Sequence, residues 1–166
     1  MITTILLFSL ILQSSQAPLK VETHFDEQKN LTTQSVGPVR LSGPQNRYYS
    51  LDFSLRRTYE GNTPTTPERI YFDLVSVVKA RSLNSDLYVV FVVDGKQLHF
   101  SSDRAAIQNP IPGRSWMGER MAFSIPYDDF IKITNAKKLS LKMGNEAFDF
   151  DETAQQALRV FLSSIN

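Results

Sequence analysis

The sequence predicts a mainly β protein, an antiparallel β-sandwich or curved sheet with a short helix near 127–134 and a C-terminal helix near 151–164. Three observations carry that expectation. Apolar and polar residues alternate with a period of two along several short segments, which places one face on a core and the other in water. Asp94-Gly95 and Gly144-Asn145 stand between such segments, where a tight hairpin turn needs positive φ. The C-terminal segment carries an apolar stripe at helical rather than strand spacing.

The elements follow in chain order. Ile5 to Leu12 is an apolar run broken only by Ser9, and small residues follow it up to Ala17. Such a run falls short of the roughly 20 residues that span a bilayer, and it reads as the h-region of a signal peptide. Residues 1–17 are thus expected to be removed, with a small-x-small cut through Ser15 and Ala17, leaving 18–166 as a single β-rich domain. That predicts an exported protein, periplasmic or secreted, with no transmembrane anchor. Leu19 to His24, Leu31 to Val36 and Val39 to Leu41 are short strand candidates, separated by polar or Gly-Pro breaks.

The clearest strand is Tyr49 to Arg56, where Tyr49, Leu51, Phe53 and Leu55 alternate with Ser50, Asp52, Ser54 and Arg56. Ile70 to Val78 alternates in the same way. Leu87 to Val93 is apolar throughout, so it is expected at the centre of a sheet and covered on both faces. The Asp94-Gly95 turn then leads into Lys96 to Ser101, with Leu98 and Phe100 facing the core. Met121, Phe123 and Ile125 mark another strand, and Gly144-Asn145 joins Leu139–Met143 to a strand holding Phe148 and Phe150.

Of the helices, the first follows Pro126, with Tyr127, Phe130, Ile131 and Thr134 on one face and Asn135 as a left-handed cap. The second opens at Asp151, and Ala154, Ala157, Leu158, Phe161 and Leu162 form a stripe fit to cover a sheet. Eight or nine strands with no β-α-β alternation favour antiparallel pairing.

Composition narrows the functions. The 166 residues, 42% hydrophobic and 21% charged, suffice for one well-buried core. Eighteen basic residues against 17 acidic ones leave a formal charge of +1, so no global field attracts a phosphate backbone and no nucleic-acid partner is expected. The absence of cysteine excludes disulfides, thiolate metal sites and cysteine nucleophiles. Only two histidines are present, His24 and His99, and neither stands near a nucleophile-elbow pattern or at metal-ligand spacing. Both read as strand histidines facing solvent or a neighbouring carboxylate, and no cofactor is expected.

Asp26-Glu27, Asp128-Asp129 and the group Asp149, Asp151, Glu152 are the acidic candidates for an acid-base pair or for calcium. The competing reading gives the last two groups to helix starts, where negative charge is favourable. Asn30-Leu31-Thr32 matches a glycosylation acceptor, of consequence only in a eukaryotic secretory pathway. Two long polar stretches read as loops, Arg57 to Arg69 and Ser102 to Glu119, and the second holds Trp116, the single tryptophan. Trp116 with Arg114 and Arg120 is the candidate binding group, because Trp and Arg concentrate binding energy. Trp116 as a lid on the core is the competing reading.

Together these features favour a non-catalytic exported module of the cell envelope, binding or structural, with polysaccharide or protein as partner. The alternative is a hydrolase acting on an extracellular polymer through paired carboxylates.

Three parts of the chain carry a resemblance. Val21 to Thr33, the Asp94-Gly95 turn and above all Ile125 to Phe161 resemble a group of bacterial exported proteins without an assigned function. In that group an F-x-x-I-x-N-A helix precedes a strand ending in x-G-N, a second strand with two aromatic or apolar positions, and a closing amphipathic helix. Phe130, Ile133, Asn135, Ala136, Gly144, Asn145, Phe148, Phe150 and Leu158 match those positions here. The resemblance implies a β-rich fold and a bacterial envelope location, and no catalytic residues.

Overall fold

The computed structural model describes residues 19–43, 48–78, 88–102, 107–110, 117–144 and 146–165. The proposed signal segment, 1–17, therefore lies outside the described residues, as do Arg114 and Trp116. Two antiparallel sheets face each other. The larger is built from β1 (Glu22–Asp26), β2 (Leu31–Arg40), β3 (Tyr48–Glu60), β4 (Arg69–Val78), β7 (Ile107–Pro110) and β8 (Met117–Pro126). The smaller holds β5 (Tyr88–Val93), β6 (Lys96–Ser101), β9 (Leu139–Met143) and β10 (Glu146–Asp149). Their orders are β1-β2-β3-β4-β8-β7 and β10-β9-β5-β6. Helix α1 (Tyr127–Thr134) follows β8, and α2 (Glu152–Ser163) ends the chain.

The inner faces meet through phenylalanine rings. Phe72 on β4 meets Phe91 on β5 edge-on at 5.4 Å, Phe123 on β8 stacks on Phe72 at 5.3 Å, and Phe150 reaches Phe53 at 5.2 Å. The helices complete this layer: Phe130 of α1 meets Phe161 of α2 edge-on at 6.0 Å and Phe72 at 6.3 Å. Such offset and edge-to-face contacts suit the ring quadrupole and add to plain burial. As its sequence stripe implies, α2 buries Ala154, Ala157, Leu158 and Phe161.

Along one side the sheets are joined. Ser42, just past β2, exchanges backbone bonds with Asp149 on β10, donating its N–H over 3.2 Å and accepting one over 2.7 Å. The neighbouring Gly43 explains how the strand passes so near. A Cβ there would lie 2.3 Å from the Phe148 ring, so only glycine fits without displacing it.

Both hairpins form, with φ of 49° at Asp94, 86° at Gly95 and 57° at Gly144, while Asn145 lies outside the described residues. The Asp94 carboxylate also accepts from the N–H groups of Lys137 and Lys138, at 3.0 and 2.8 Å, fastening the turn to the start of β9.

Several expectations are corrected. Leu31–Val36 and Val39–Leu41 are not two strands: β2 runs through Gly37-Pro38 as a bulge, shifting register between Val36 and Val39, because Gly37 takes a φ of 110° without leaving the sheet. The stretch Arg57–Arg69 is a loop only over 61–68, since the alternation of β3 continues to Glu60. Ser102–Glu119 is likewise no continuous loop, because β7 within it pairs with β8. β5 is central, between β9 and β6, yet only one of its faces is covered: Val89 and Phe91 are buried, Val90 and Val92 are half-buried, and Tyr88 is 63% exposed. In α1 the buried face is Phe130, Ile133 and Thr134 rather than one through Ile131, and Asn135 caps with φ −90°, not left-handed. Packing against α2 and Phe72 sets that rotation.

Candidate functional site

The outer face of the larger sheet carries a compact polar cluster where β3, β4 and β8 run side by side. Alternation builds it: with Leu55, Phe72, Met121 and Phe123 turned inward, Arg56, Tyr71, Asp73 and Arg120 face out. Arg120 donates to Asp73 Oδ1 from Nη2 at 2.8 Å and from Nε at 3.2 Å. Arg56 approaches the other oxygen of the same carboxylate at 4.0 Å, and its guanidinium carbon lies 5.1 Å from the centroid of the Tyr71 ring.

Arg69 stands two positions before Tyr71 on the same strand, its Nε bonded to Ser124 Oγ and its Nη2 to Ser124 O, both at 2.8 Å. One carboxylate, Asp73, thus serves two guanidinium groups, those of Arg120 and Arg56. Asp52, the next acid on β3, is already paired with Arg40 at 3.0 Å. The patch therefore has a local excess of positive charge although the whole chain is near neutral. Val75, 43% exposed beside Arg120 across the β4–β8 ladder, adds an apolar spot.

Of the three residues singled out from sequence, Arg120 belongs to this cluster, while Arg114 and Trp116 lie outside the described residues. Residues Arg56, Tyr71 and Asp73 were missed as site residues, although alternation had already assigned them to the water face. Their signal was spatial, because the β3–β4 and β4–β8 registers bring them together.

Four of the acidic candidates, Asp26, Asp129, Asp151 and Glu152, hold structural positions. Asp26 accepts from the backbone of Gln28 and Lys29 in the β1–β2 turn and pairs with the Lys29 ammonium at 3.0 Å. The hydrogen bond from Lys29 lowers its pKa. Asp129 pairs with Lys132 at 2.8 Å and raises that lysine's pKa. Asp151 caps α2, its Oδ1 accepting from Ala154 N at 2.9 Å, and Glu152 pairs with Arg159 one face along. His24 and His99 are exposed on β1 and β6. Asn30 of the glycosylation tripeptide lies at the β1–β2 turn with φ 50°, and the Thr32 hydroxyl donates to the Gly61 carbonyl.

Arg57 was expected in a loop and is instead buried, only 1% exposed on the inner face of β3. It donates to Gln34 Oε1 at 2.7 Å, Thr65 O at 3.1 Å and Ser164 O at 2.9 Å, and its guanidinium carbon lies 5.1 Å from the centroid of the Tyr59 ring. Burial lowers its pKa. Ser164 is the C-cap of α2, whose own last turn has no basic residue, so this strand arginine supplies the cation that a helix C-terminus favours.

Where β2 ends beside α2, a cleft of about 430 Å³ is lined by Leu19, Pro38 and Val39 and by Arg40, Ser42, Asp151 and Thr153.

No family model, no curated protein and no solved structure matches this chain. Among the described residues no helix is long and apolar enough to cross a membrane.

Proposed function

We propose that this protein is a non-catalytic, exported binding module of the cell envelope, and that its contact surface is the outer face of the larger sheet around Arg56, Tyr71, Asp73 and Arg120. The observation that carries the reading is the charge imbalance there: Asp73 is shared by Arg120 and Arg56, with Arg69 four positions before it on the same strand and bonded to Ser124. Guanidinium groups left with unspent donors recognise carboxylates as a fork, and Tyr71 and Val75 give a ring face and an apolar spot between them. An acidic polysaccharide offers both counterparts, carboxylates at intervals and the C–H faces of its sugars. Arg114 and Trp116, close in sequence to β8, are assigned to the same contact. Asp26, Asp129, Asp151 and Glu152 are engaged in a turn, a helix cap and ion pairs, which favours the binding module over the alternative.

Titration with polygalacturonate, against a neutral glucan as control, tests this reading. Binding should weaken as salt rises, since exposed charges are screened within about 8 Å at physiological ionic strength. Arg120→Ala and Arg56→Ala should each lower affinity about tenfold. Binding that neither change affects, or turnover of the polymer abolished by replacing one acidic residue, would overturn it.

A further inference from the structure

Among the described residues the sheet edges differ in what they meet. The outer edge of β10 takes the backbone of Ser42. β6 lies against β8, where the Ser102 hydroxyl donates to the Ala122 carbonyl at 2.8 Å. β7 is four residues long and ends in Pro110, which has no N–H to offer another strand. β1 is an edge of the larger sheet, paired with β2 on one side, and its Glu22, Thr23 and His24 are exposed. Every second residue of such an edge points its N–H and C=O away from the sheet, which is a template for a further strand.

Charged residues on an edge ordinarily repel an incoming strand. Here their order makes the edge complementary to itself. Val21 packs on the core, Thr23 Oγ1 accepts from Gln34 Nε2 at 3.3 Å, and Phe25 lies opposite buried Thr32, so these three share the inner face. Lys20, Glu22, His24 and Asp26 alternate with them on the outer face. A second β1 laid antiparallel and centred on Thr23 sets Lys20 against Asp26 and Glu22 against His24 on that outer face. On the inner face it sets Val21 against Phe25 and Thr23 against itself. Two-fold symmetry repeats each unlike pair. Neighbouring registers are worse: centred on His24 the strands oppose Glu22 to Asp26, and centred on Glu22 they oppose that residue to itself, and like charges directly opposite are destabilising.

We infer that β1 is a self-association edge, on which a second copy of this chain lays its own β1 antiparallel about Thr23, joining the two larger sheets. The backbone ladder supplies the attraction, and the charge order fixes the register. The seam from Lys20 to Asp26 is short against the roughly 20–30 residues a side of a stable interface, so the dimer is reversible and forms at high protein concentration. The inference does not depend on what the arginine patch binds, since that patch lies on β3, β4 and β8.

Sedimentation velocity of the purified protein between about 10 μM and 1 mM should show a monomer passing into a dimer. Glu22→Lys and His24→Glu change exposed side chains of the outer face and so spare the fold. Each alone should weaken dimerisation about tenfold, because symmetry applies the change to two pairs at once. An equimolar mixture of the two variants should dimerise again: the heterodimer sets the new ammonium of one chain against the new carboxylate of the other and keeps the remaining Glu22–His24 pair. Arg120→Ala should leave the dimer unchanged. The inference is overturned if the protein stays monomeric throughout, if neither β1 variant weakens the dimer, or if the mixture fails to recover it.

Discussion

Replacing Arg57 tests whether a buried cation on a strand holds the end of the chain in place. Its guanidinium joins three otherwise separate parts: Gln34 on the adjacent strand, Thr65 in the 61–68 loop and Ser164 at the end of α2. Arg57→Ala removes all three donors from a site 1% exposed; the buried Gln34 acceptor left without a partner costs about 1 to 3 kcal/mol, and the part-buried carbonyls of Thr65 and Ser164 add less because water reaches them. The lost packing of the stem on Tyr59 adds to this. A total of about 3 to 5 kcal/mol follows from the lost bonds and packing together. At about 2 to 4 °C per kcal/mol for a domain of this size, the melting temperature should fall by about 10 °C.

Urea unfolding measures the loss directly, with an unchanged slope showing that the transition stays two-state. Arg57→Met separates volume from bonding: it refills the space and should still lose about 2 kcal/mol. Hydrogen exchange should accelerate first in the last turn of α2 and in the 61–68 loop. A loss below about 1 kcal/mol in Arg57→Ala would show that water replaces the guanidinium at little cost, and the reasoning from buried acceptors would fail.

Two further outcomes follow from the same structure. Leu158→Ala or Phe161→Ala should cost about 2 to 5 kcal/mol in thermal or urea unfolding, through lost burial and the cavity left, while exposed Gln156→Ala should stay within about 0.5 kcal/mol. Asp26 should show its effect through pH. The hydrogen bond from Lys29 holds its folded pKa below the ordinary carboxylate value, so its stabilisation is complete above that value and disappears as pH falls through the folded one. The stability difference between the parent and Asp26→Asn should therefore be constant near neutral pH and shrink below about pH 4. A difference that instead grew on acidification would contradict the assignment.

The architecture was legible where a local rule and the tertiary structure agreed. Alternation placed Leu51, Phe53 and Leu55 inward, positive-φ turn residues placed both hairpins, and the stripe on α2 named the residues that are buried. It was illegible where pairing overrode a local signal. Gly37-Pro38 reads as a break, yet β3 pairs on both sides of it and turns it into a bulge. Arg56-Arg57 followed by a polar stretch reads as a loop, yet continuing the alternation from Leu55 puts Arg57 on the core face beside Tyr59. A charged residue at a core position looked like the end of the strand, and only a structure shows the carbonyls that receive it. The apolar run of β5 suggested two covering layers because composition alone does not distinguish a doubly buried strand from one with a half-buried outer row.

The same distinction explains why the candidate sites were only partly visible. Arg120 was singled out for its company of Arg114 and Trp116 in sequence, whereas its contacts in the fold, Asp73 and through it Arg56, come from strands remote in sequence. The cleft draws on three further segments, the chain before β1, the end of β2 and the start of α2. Arg40 stands at both places, since it lines the cleft and pairs with Asp52 on the outer face of β3.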